Sequence, residues 1–421
     1  MFSKYKIAVS FLFALLANFC ASIPATAQET NAANGKKEAL AFAESMGVGW
    51  NLGNNLDSHI DGVSGETMWG NPAATQKLFN NLKKAGISTV RIPVTWIGHI
   101  GKAPEYRIDK EWMDRVAEVV GYAKNAGLKA IINIHHDGYG AETDANKKSF
   151  FWLDLPAAAK NEEVNTKIKQ KLAMVWMQIA TRFQNEGDWL IFETLNEIQD
   201  GKWGGGENTT DGGHQYRVLN EWNQLCVDVI RATGGNNTTR YIGVPGYVCQ
   251  PGLTVQYLRI PDDETPNRLM VAVHMYDPWD YAGSAKYNEW GHTGTDVVPD
   301  KAGETEYVAT LNSLYNKFVR KGIPVYLGEY GCVHRNNEKA ENFRKYYLEY
   351  TIKALKMRHM PFLVWDNGKR TYGEEAFGLM EHKEGRFIHN GEEIVKLMVN
   401  TWNNEDPDYT LESIYERAPQ P

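Results

Sequence analysis

One pattern repeats along this chain and restricts the folds open to it: a short apolar run ends in polar or aromatic residues, and an amphipathic helical stretch follows. Eight such runs are predicted to be strands, at residues 46–51, 89–93, 130–134, 189–195, 240–244, 269–274, 324–328 and 361–365. The helical stretches between them cover residues 73–84, 110–125, 162–183, 214–232, 304–321, 338–356 and 391–402. The fifth connection is the weakest, with only a short helical piece near 253–258.

Strands that are apolar on both faces are typical of a parallel sheet covered by helices. Eight strand–helix units predict the α/β class and a closed (β/α)8 barrel, the TIM barrel, as a single domain over residues 28–421. A doubly wound open sheet is the alternative topology, and it would typically carry a glycine-rich phosphate turn after the first strand. Residues 49–53 read Gly-Trp-Asn-Leu-Gly and lack the G-x-G-x-x-G spacing, so the barrel is preferred.

The first residues have the composition of an export signal rather than of a folded element. Lys4 and Lys6 precede an apolar run at 7–19, and the small residues 25–27 (Ala-Thr-Ala) suit signal cleavage. Residues 1–27 are therefore predicted to be a signal peptide. The mature protein is expected to be secreted, either to the periplasm, to the cell surface or to the medium.

A lipid anchor on Cys20 is the competing interpretation, but Phe19 is bulky where a lipoprotein peptidase requires a small residue.

Residues 28–35 are predicted to be a polar tail. No later segment has the ~20 uninterrupted apolar residues of a membrane span. Asn208 and Asn237 occupy N-x-T sequons and are predicted to lie in surface loops. The cysteines that remain after cleavage have no zinc or redox spacing and are expected to be buried thiols, with one disulfide left open: Cys226, Cys249 and Cys332.

The composition of the chain argues against nucleic acid as a partner and favours carbohydrate. The formal net charge is −7 and the basic residues form no stripe, so nucleic acid is not an expected partner. The chain has 13 Trp and 21 Tyr, whose flat rings with polar edges suit sugar faces. No cofactor is predicted, and a monomer is expected.

Ionisable and aromatic residues concentrate where the predicted strands end. In a (β/α)8 barrel these carboxyl-terminal strand ends form the active-site face. In strand order they carry Arg91, then His135-His136-Asp137, then Asn196-Glu197, then His274 and Tyr276, then Glu329, and finally Trp365. Charged groups at a barrel mouth cost several kcal/mol unless they are paired, so this set predicts a functional site.

Two carboxylates on opposite sides of a cleft are what hydrolysis of an acetal needs. One protonates the departing oxygen, and the other attacks the anomeric carbon or activates a water. Glu197 and Glu329 are predicted to face each other at ~5 Å, the retaining distance, rather than at the ~6.5–9.5 Å of inverting enzymes. Arg91 near Glu329 would keep that carboxylate ionised, and Tyr276 would donate a hydrogen bond to it.

The strand period predicts which neighbouring side chains share a face. His274 and Tyr276 should point the same way, whereas His135 and His136 should point opposite ways, with His136 toward the site. A metal site on His135, His136 and Asp137 is the alternative. Zinc usually takes three protein ligands, often with helical histidine spacing, and adjacent histidines on a strand do not provide it. No metal is therefore predicted.

Two segments at the strand ends resemble glycoside hydrolase family 5, a group of retaining enzymes that includes many bacterial cellulases. They are residues 191–197, Ile-Phe-Glu-Thr-Leu-Asn-Glu, and residues 325–331, Val-Tyr-Leu-Gly-Glu-Tyr-Gly. The resemblance covers nearly the whole mature chain and implies that Glu197 is the acid/base and Glu329 the nucleophile. It also implies roles in catalysis or in binding the sugar at the cleaved bond for Arg91, His136, Asn196, His274, Tyr276 and Trp365.

Finer features resemble the branch of the family that contains endoglucanases, xyloglucanases and broad-specificity enzymes. They are residues 49–54, 66–72 and 365–368, whereas Val364 departs from the second Trp that many members carry there. The resemblance implies an endo-β-1,4-glucanase that hydrolyses cellulose or a related β-glucan polysaccharide. A xyloglucan-specific endoglucanase and an endo-β-1,4-mannanase are the alternatives, since both would use the same catalytic pair.

Residues outside the catalytic centre are candidates for holding the rest of the polysaccharide. His135 and Asn54 are expected to contact substrate, and aromatic residues on the βα loops are candidate sugar platforms: Trp69, Trp96, Tyr139, Trp203 and Trp279. The glycine-rich stretch 201–213 is predicted to be a mobile loop at one end of the cleft. A non-catalytic sugar-binding barrel and a metal-dependent hydrolase are the other classes considered. Relics of the first kind usually lack one of the carboxylates.

Overall fold

Eight parallel strands close into a barrel in the computed structural model, which describes residues 25–138, 149–300 and 303–420. They are β1 Val48–Asn51, β2 Thr89–Ile92, β3 Lys129–Asn133, β4 Leu190–Glu193, β5 Ile242–Pro245, β6 Leu269–Met275, β7 Val325–Tyr330 and β8 Phe362–Val364. Each strand pairs in parallel with the next, and β8 pairs with β1 to close the ring. The predicted (β/α)8 barrel is confirmed, and each predicted strand overlaps an observed one.

Helices lie before, between and after the strands and cover the barrel. In chain order they are α1 Ala25–Glu44, α2 Gln76–Lys84, α3 Lys110–Ala126, α4 Leu155–Lys160, α5 Glu162–Arg182, α6 His214–Ala232, α7 Pro251–Tyr257, α8 Trp279–Ala282, α9 Glu304–Lys317, α10 Glu338–Lys356, α11 Gly391–Asn403 and α12 Leu411–Tyr415. Each long helix turns an apolar stripe inward, as α3 does with Trp112, Val116 and Val120. Within the described ranges, none of the helices has the length and apolar character needed to cross a membrane.

The amino-terminal helix packs against the bottom of the barrel. The prediction of a polar tail at 28–35 was wrong, because α1 runs through this segment. Ala39 and Ala43 are fully buried, in one apolar cluster with Ile131 and Met270 from the barrel interior. Small alanine side chains let a helix approach closely, and such tertiary packing stabilises helices whose own sequence is a weak signal.

Several other side chains lie deeper than their sequence context predicted. Beyond the last predicted helix at 391–402, the chain forms α12, whose Ile414 is fully buried. Asn208 and Asn237 are also buried rather than in exposed loops, because their amide groups donate to backbone carbonyl oxygens at 2.9 and 2.7 Å. The prediction of buried thiols is confirmed, and all three are free: Cys226, Cys249 and Cys332.

A glycine in β5 makes room for a tyrosine that crosses the barrel interior. Gly243 pairs with Glu193 of β4, and a Cβ added at Gly243 would lie 2.1 Å from the hydroxyl oxygen of Tyr326. Tyr326, on β7, is fully buried and donates its hydroxyl proton to Glu193 Oε2 at 2.6 Å. The absence of a side chain at Gly243 therefore permits a hydrogen bond between strands on different sides of the barrel.

Gly243→Ala is expected to lower the free energy of unfolding by about 1–3 kcal/mol, the usual cost of overpacking a core, because its methyl group would overlap the Tyr326 hydroxyl. Gly121→Ala is the matched control. This glycine lies within α3 with no described neighbour within 4 Å of an added Cβ, so the free energy of unfolding should rise by up to ~1 kcal/mol. Denaturant unfolding measures both, and equal stabilities of the two variants would contradict this packing.

Candidate active site

Polar side chains from four neighbouring strands form one layer in the upper part of the barrel. Asn51 pairs in register with Arg91, and Asn133 pairs with Glu193. All four residues are at most 1% exposed. Because parallel strands of a barrel end at the same face, this layer lies directly beneath the active-site mouth.

Arg91 is the centre of this polar layer. Its Nη2 donates to Glu193 Oε1 at 2.7 Å and to Asn196 Oδ1 at 2.8 Å. Its Nη1 donates to Glu329 Oε1 at 2.8 Å and to Asn51 Oδ1 at 3.1 Å. Burial opposes the charged form, but Glu193 and Glu329 outweigh it and raise the pKa of Arg91. The guanidinium group is therefore a permanent positive charge under the mouth of the barrel.

Glu329 extends from β7 toward the mouth and has the two contacts that the sequence predicted. Oε1 accepts the hydrogen bond from Arg91, and Oε2 accepts one from the Tyr276 hydroxyl at 3.0 Å. Burial, together with the charge of Glu329, raises the pKa of Tyr276, which therefore remains a proton donor. The Glu329 side chain is 8% exposed, so it borders the cleft while both oxygens are held.

Glu197 follows β4 and has a different environment. Burial raises the pKa of Glu197 to about 7 against the opposing charge of Arg91, and the charge of Glu193 adds to the rise. The Glu197 side chain keeps 21% of its surface exposed to the cleft. A carboxyl group with this pKa is protonated in much of the population at neutral pH, as a general acid has to be.

His274 lies between the two carboxylates. Its Nδ1 is 2.7 Å from Glu197 Oε1 and 3.6 Å from Glu329 Oε2, and burial lowers the pKa of His274 to about 4, so the ring is neutral. One oxygen of each carboxylate and a ring nitrogen all lie within 4.8 Å of one another. The nearest oxygens of the two carboxylates are therefore at most 4.8 Å apart, which fits the ~5 Å separation of retaining enzymes better than the ~6.5–9.5 Å of inverting ones.

The prediction that His135 and His136 point opposite ways was wrong. Strand β3 ends before them, so the alternation of a strand no longer applies, and the two ring centroids are only 4.3 Å apart. His135 is the histidine nearer the carboxylates, with Nε2 at 3.3 Å from Asn196 Nδ2 and 3.9 Å from Glu329 Oε1. His136 is half-buried and packs against Trp69, with 5.4 Å between ring centroids.

Asp137 does not join the two histidines, so the alternative metal site on these three residues is not formed. Its carboxylate accepts a backbone N–H at 2.9 Å and an indole N–H at 2.6 Å. Asp57 is closer, since one ligand atom each from Asp57, His135 and His136 lie within 4.8 Å of one another. Both oxygens of Asp57 accept hydrogen bonds from backbone N–H groups, at 2.8 and 3.0 Å. These bonds hold the loop after β1 in place at the wall of the cleft.

Trp365 and Asn54 border the mouth where β8 meets β1. The Trp365 ring lies parallel to that of His135, with 5° between the planes and 6.1 Å between the centroids. Gly53 allows this position, because an added Cβ would lie 2.7 Å from the indole. Asn54 has a left-handed φ of 60°, and its backbone N–H donates to Asp57 Oδ2 at 3.0 Å. The indole therefore forms a flat wall of the mouth beside His135.

Two exposed tryptophans flank the carboxylates from different sides of the barrel. Trp69 is 41% exposed, lies in the connection after β1 and packs against His136 beyond β3. Trp279 is 43% exposed, follows β6 and lies 5.8 Å from the ring of Tyr276. Strands β3 and β6 are not neighbours in the barrel order, so the two indoles occupy separate parts of the rim.

The other aromatic candidates have different outcomes. Trp203 is 58% exposed in the connection after β4. Trp96 is fully buried and its indole N–H donates to the Asn133 carbonyl at 3.1 Å, so the interpretation as a platform was wrong. Tyr139 lies outside the described residues. The stretch 201–213 contains a 3-10 turn at Glu207–Thr209, and its mobility stays a prediction.

Sequence reasoning missed four residues that build the site: Asn51, Asn133, Glu193 and Tyr326. Only Glu193 had a usable signal, because it is a carboxylate inside an otherwise apolar strand and requires a buried partner such as Arg91. The other three are uncharged residues that are common at strand ends or in cores. Their role follows from barrel closure, which brings their strands around one guanidinium group.

The chain is similar to known proteins over most of its length. The model of the family described as Cellulase (glycosyl hydrolase family 5) matches residues 53–371. Endoglucanase A of Paenibacillus barcinonensis is 35% identical over 396 residues, which cover 90% of this chain and 94% of that protein.

Solved structures show the same similarity. A native Bacteroidetes-affiliated GH5 cellulase linked with a polysaccharide utilization locus is 62% identical, with a TM-score of 0.89 over 91% of this chain and 98% of that chain. A GH5-4 broad specificity endoglucanase from Bacteroides salanitronis is 51% identical, with a TM-score of 0.83 over 87% of this chain and 95% of that chain. With this sequence similarity and this barrel, the chain belongs to glycoside hydrolase family 5.

Proposed function

We propose that this chain is a retaining endo-β-1,4-glucanase that cleaves internal bonds of cellulose or a related β-glucan. The observation that carries the proposal is the pair Glu197 and Glu329, which have one carboxylate oxygen each within 4.8 Å of the other at the barrel mouth. Burial favours the protonated form of Glu197, whereas Glu329 accepts hydrogen bonds from Arg91 and Tyr276. One group is thus prepared to give a proton and the other to attack carbon.

In the first step, Glu329 attacks the anomeric carbon and forms a glycosyl ester. The bond between that carbon and the bridging oxygen breaks, and the electron pair stays on the departing oxygen, which takes the proton of Glu197. Arg91 and Tyr276 fix the orientation of the attacking carboxylate through their hydrogen bonds. The leaving sugar departs as a neutral alcohol.

In the second step, Glu197 acts as the base. It accepts a proton from a water whose oxygen attacks the anomeric carbon, and the ester bond to Glu329 breaks. Two inversions at the same carbon retain its configuration, and both side chains return to their starting protonation states. The neutral ring of His274, 2.7 Å from Glu197, keeps that carboxyl group oriented in both steps. This scheme requires no cofactor.

The rim of the barrel supports cleavage within a chain rather than at its end. Trp69 and Trp279 are exposed on separate sides of the carboxylates and offer flat surfaces to sugars on both sides of the cleaved bond. Xyloglucan is the second candidate substrate, because one similar structure, 35% identical in sequence, is that of a family 5 xyloglucanase from Paenibacillus pabuli. Mannan is a third, since loops rather than the catalytic pair select among such polymers.

We also propose that residues 1–27 direct export and are removed, leaving a monomeric enzyme in the periplasm, on the cell surface or in the medium. The support is the pair Lys4 and Lys6 before an apolar run, followed by small residues at 25–27. Most of this segment, residues 1–24, lies outside the described residues. An extracytoplasmic location would place the enzyme where its polymeric substrate is found.

Replacing either carboxylate by its amide should remove most turnover without unfolding the protein. Glu329→Gln cannot form the ester, and Glu197→Gln cannot donate a proton, so each is expected to lower kcat on barley β-glucan by a factor of ~10³. Reducing-end release measures the rate, and thermal unfolding checks the fold. Near-normal cleavage by a folded Glu329→Gln variant would refute the proposed function.

The pKa of Glu197 predicts an alkaline limit for catalysis. Because the acid form is required and this pKa is about 7, kcat/KM on cello-oligosaccharides should fall as the pH rises through about 7. A dinitrophenyl cellobioside needs no proton on its leaving group, so Glu197→Gln should still release dinitrophenolate from it in a single burst. If that variant releases none, Glu197 has a role other than the acid.

Trp69→Ala and Trp279→Ala test the two platforms. Each is expected to raise KM for long cello-oligosaccharides about tenfold, which corresponds to about 1.4 kcal/mol of lost binding, with little change in kcat. Met177→Ala, which truncates an exposed side chain on the outer helix α5, is the control. A panel of cellulose, β-glucan, xyloglucan and glucomannan shows which polymer depends most on each tryptophan. Unchanged KM on all four would contradict the platform role.

A further inference from the structure

We propose that Glu193 is a positioning residue for the hydrolysis proposed above: it draws the charge of Arg91 away from Glu329 and keeps Glu197 in its acid form. The inference rests on the proposed function and deepens it, because it concerns the same reaction. Glu193 acts through its neighbours, since its side chain is fully buried beneath the cleft.

Glu193 accepts hydrogen bonds from three different side chains. It accepts hydrogen bonds from Arg91 Nε and Nη2, from Asn133 Nδ2 at 2.9 Å and from the Tyr326 hydroxyl at 2.6 Å. Burial opposes ionisation, but the charge of Arg91 and the hydrogen bonds from Arg91 and Tyr326 together outweigh it and lower the pKa of Glu193. The residue is therefore a fixed negative charge on the far side of the guanidinium group from Glu329.

Arg91 faces two carboxylates with one positive charge. Its Nε and Nη2 are directed at Glu193, whereas only Nη1 is directed at Glu329, at 2.8 Å. A carboxylate that is fully neutralised by an ion pair is a poorer nucleophile than one that keeps part of its charge. By taking the larger share of the guanidinium contacts, Glu193 leaves Glu329 oriented but not fully neutralised.

The same charge acts on Glu197. Arg91, Glu193 and Glu329 together carry one net negative charge, and this favours the protonated form of a nearby acid. The titratable and charged groups facing Glu197 come from the ends of β2, β4, β5, β6 and β7: Arg91, Glu193, Cys249, His274, Tyr276 and Glu329. Without the charge of Glu193 the net charge of the triplet would be zero, and Glu197 would lose its proton more easily.

A substitution at Tyr326 can distinguish an effect of the Glu193 charge from an effect of packing around it. Its hydroxyl donates to Glu193 Oε2 from across the barrel, and Gly243 leaves the space for it. Tyr326→Phe removes one donor from the same buried cluster but leaves every charge in place. Glu193→Gln keeps the shape of the side chain and removes the charge.

The test compares the pH dependence of kcat/KM on cello-oligosaccharides for the wild type, Glu193→Gln and Tyr326→Phe. Glu193→Gln is expected to move the alkaline limit down by about 0.5–1 pH unit, because the acid form of Glu197 loses its support. It should also lower the rate of glycosyl-enzyme formation from dinitrophenyl cellobioside about tenfold, because Glu329 alone then faces Arg91. Tyr326→Phe should leave the alkaline limit at or above its wild-type value.

Two outcomes would overturn the inference. One is an unshifted alkaline limit in a folded Glu193→Gln variant, and the other is an equal downward shift in both variants, which would point to packing instead of charge. If the Glu193→Gln variant does not fold, the Tyr326→Phe variant still tests the inference. A lowered alkaline limit in the Tyr326→Phe variant would contradict the role of charge, because this substitution leaves every charge in place.

Failure of this inference is distinguishable from failure of the proposed function. If Glu329→Gln is inactive while Glu193→Gln keeps the wild-type pH profile, only the role of Glu193 is wrong. If Glu329→Gln cleaves glucan at the wild-type rate, the proposed function is wrong, whatever Glu193 does.

Discussion

The structure of the mouth depends on one buried cation, Arg91. An uncompensated charge inside a barrel costs several kcal/mol, so a guanidinium group at this depth requires acceptors on every side. Asn51 and Glu193 supply them from β1 and β4, and Asn196 and Glu329 supply them from the ends of β4 and β7. The same contacts that make the burial of Arg91 tolerable also fix the positions of Glu329 and of Asn196, which precedes Glu197 in the chain.

Burial then gives the two carboxylates of the cleft different properties. Glu329 is held by Arg91 and Tyr276, whereas Glu197 contacts a neutral histidine and has a pKa near 7. The backbone that carries Glu197 is braced by a strained turn after β5, where Val248 and Cys249 have φ values of 48° and 52°. The Val248 N–H donates to the Ile198 carbonyl at 3.1 Å. Non-glycine residues persist in this conformation only where the surroundings hold them, and such strain clusters at functional sites.

Most of the architecture could be predicted from the sequence, because barrel strands and outer helices are local patterns. The strand ends that carry Glu197 and Glu329 followed from the same patterns. Predictions failed where the deciding contact is distant in sequence. Trp96 was predicted to be an aromatic residue on a loop, but its side chain is buried in the core. The first part of α1 was predicted to be a polar tail, but the helix packs against the bottom of the barrel. His135 and His136 were misjudged because the strand period was extended past the end of β3.

By itself, the sequence determined the fold class, the order of the eight units and the identity of the residues at their ends, since these depend on hydrophobic period and on position along the chain. Apart from the contacts of Glu329 with Arg91 and Tyr276, it did not determine which side chains pair with one another at the mouth. Only closure of the barrel decided that Arg91 lies between Glu193 and Glu329, that Tyr326 crosses to Glu193 over Gly243, and that His274 separates the two carboxylates. The physical reason is that pKa values and ion pairing depend on burial and on distances of a few ångströms between strands that are far apart in the chain.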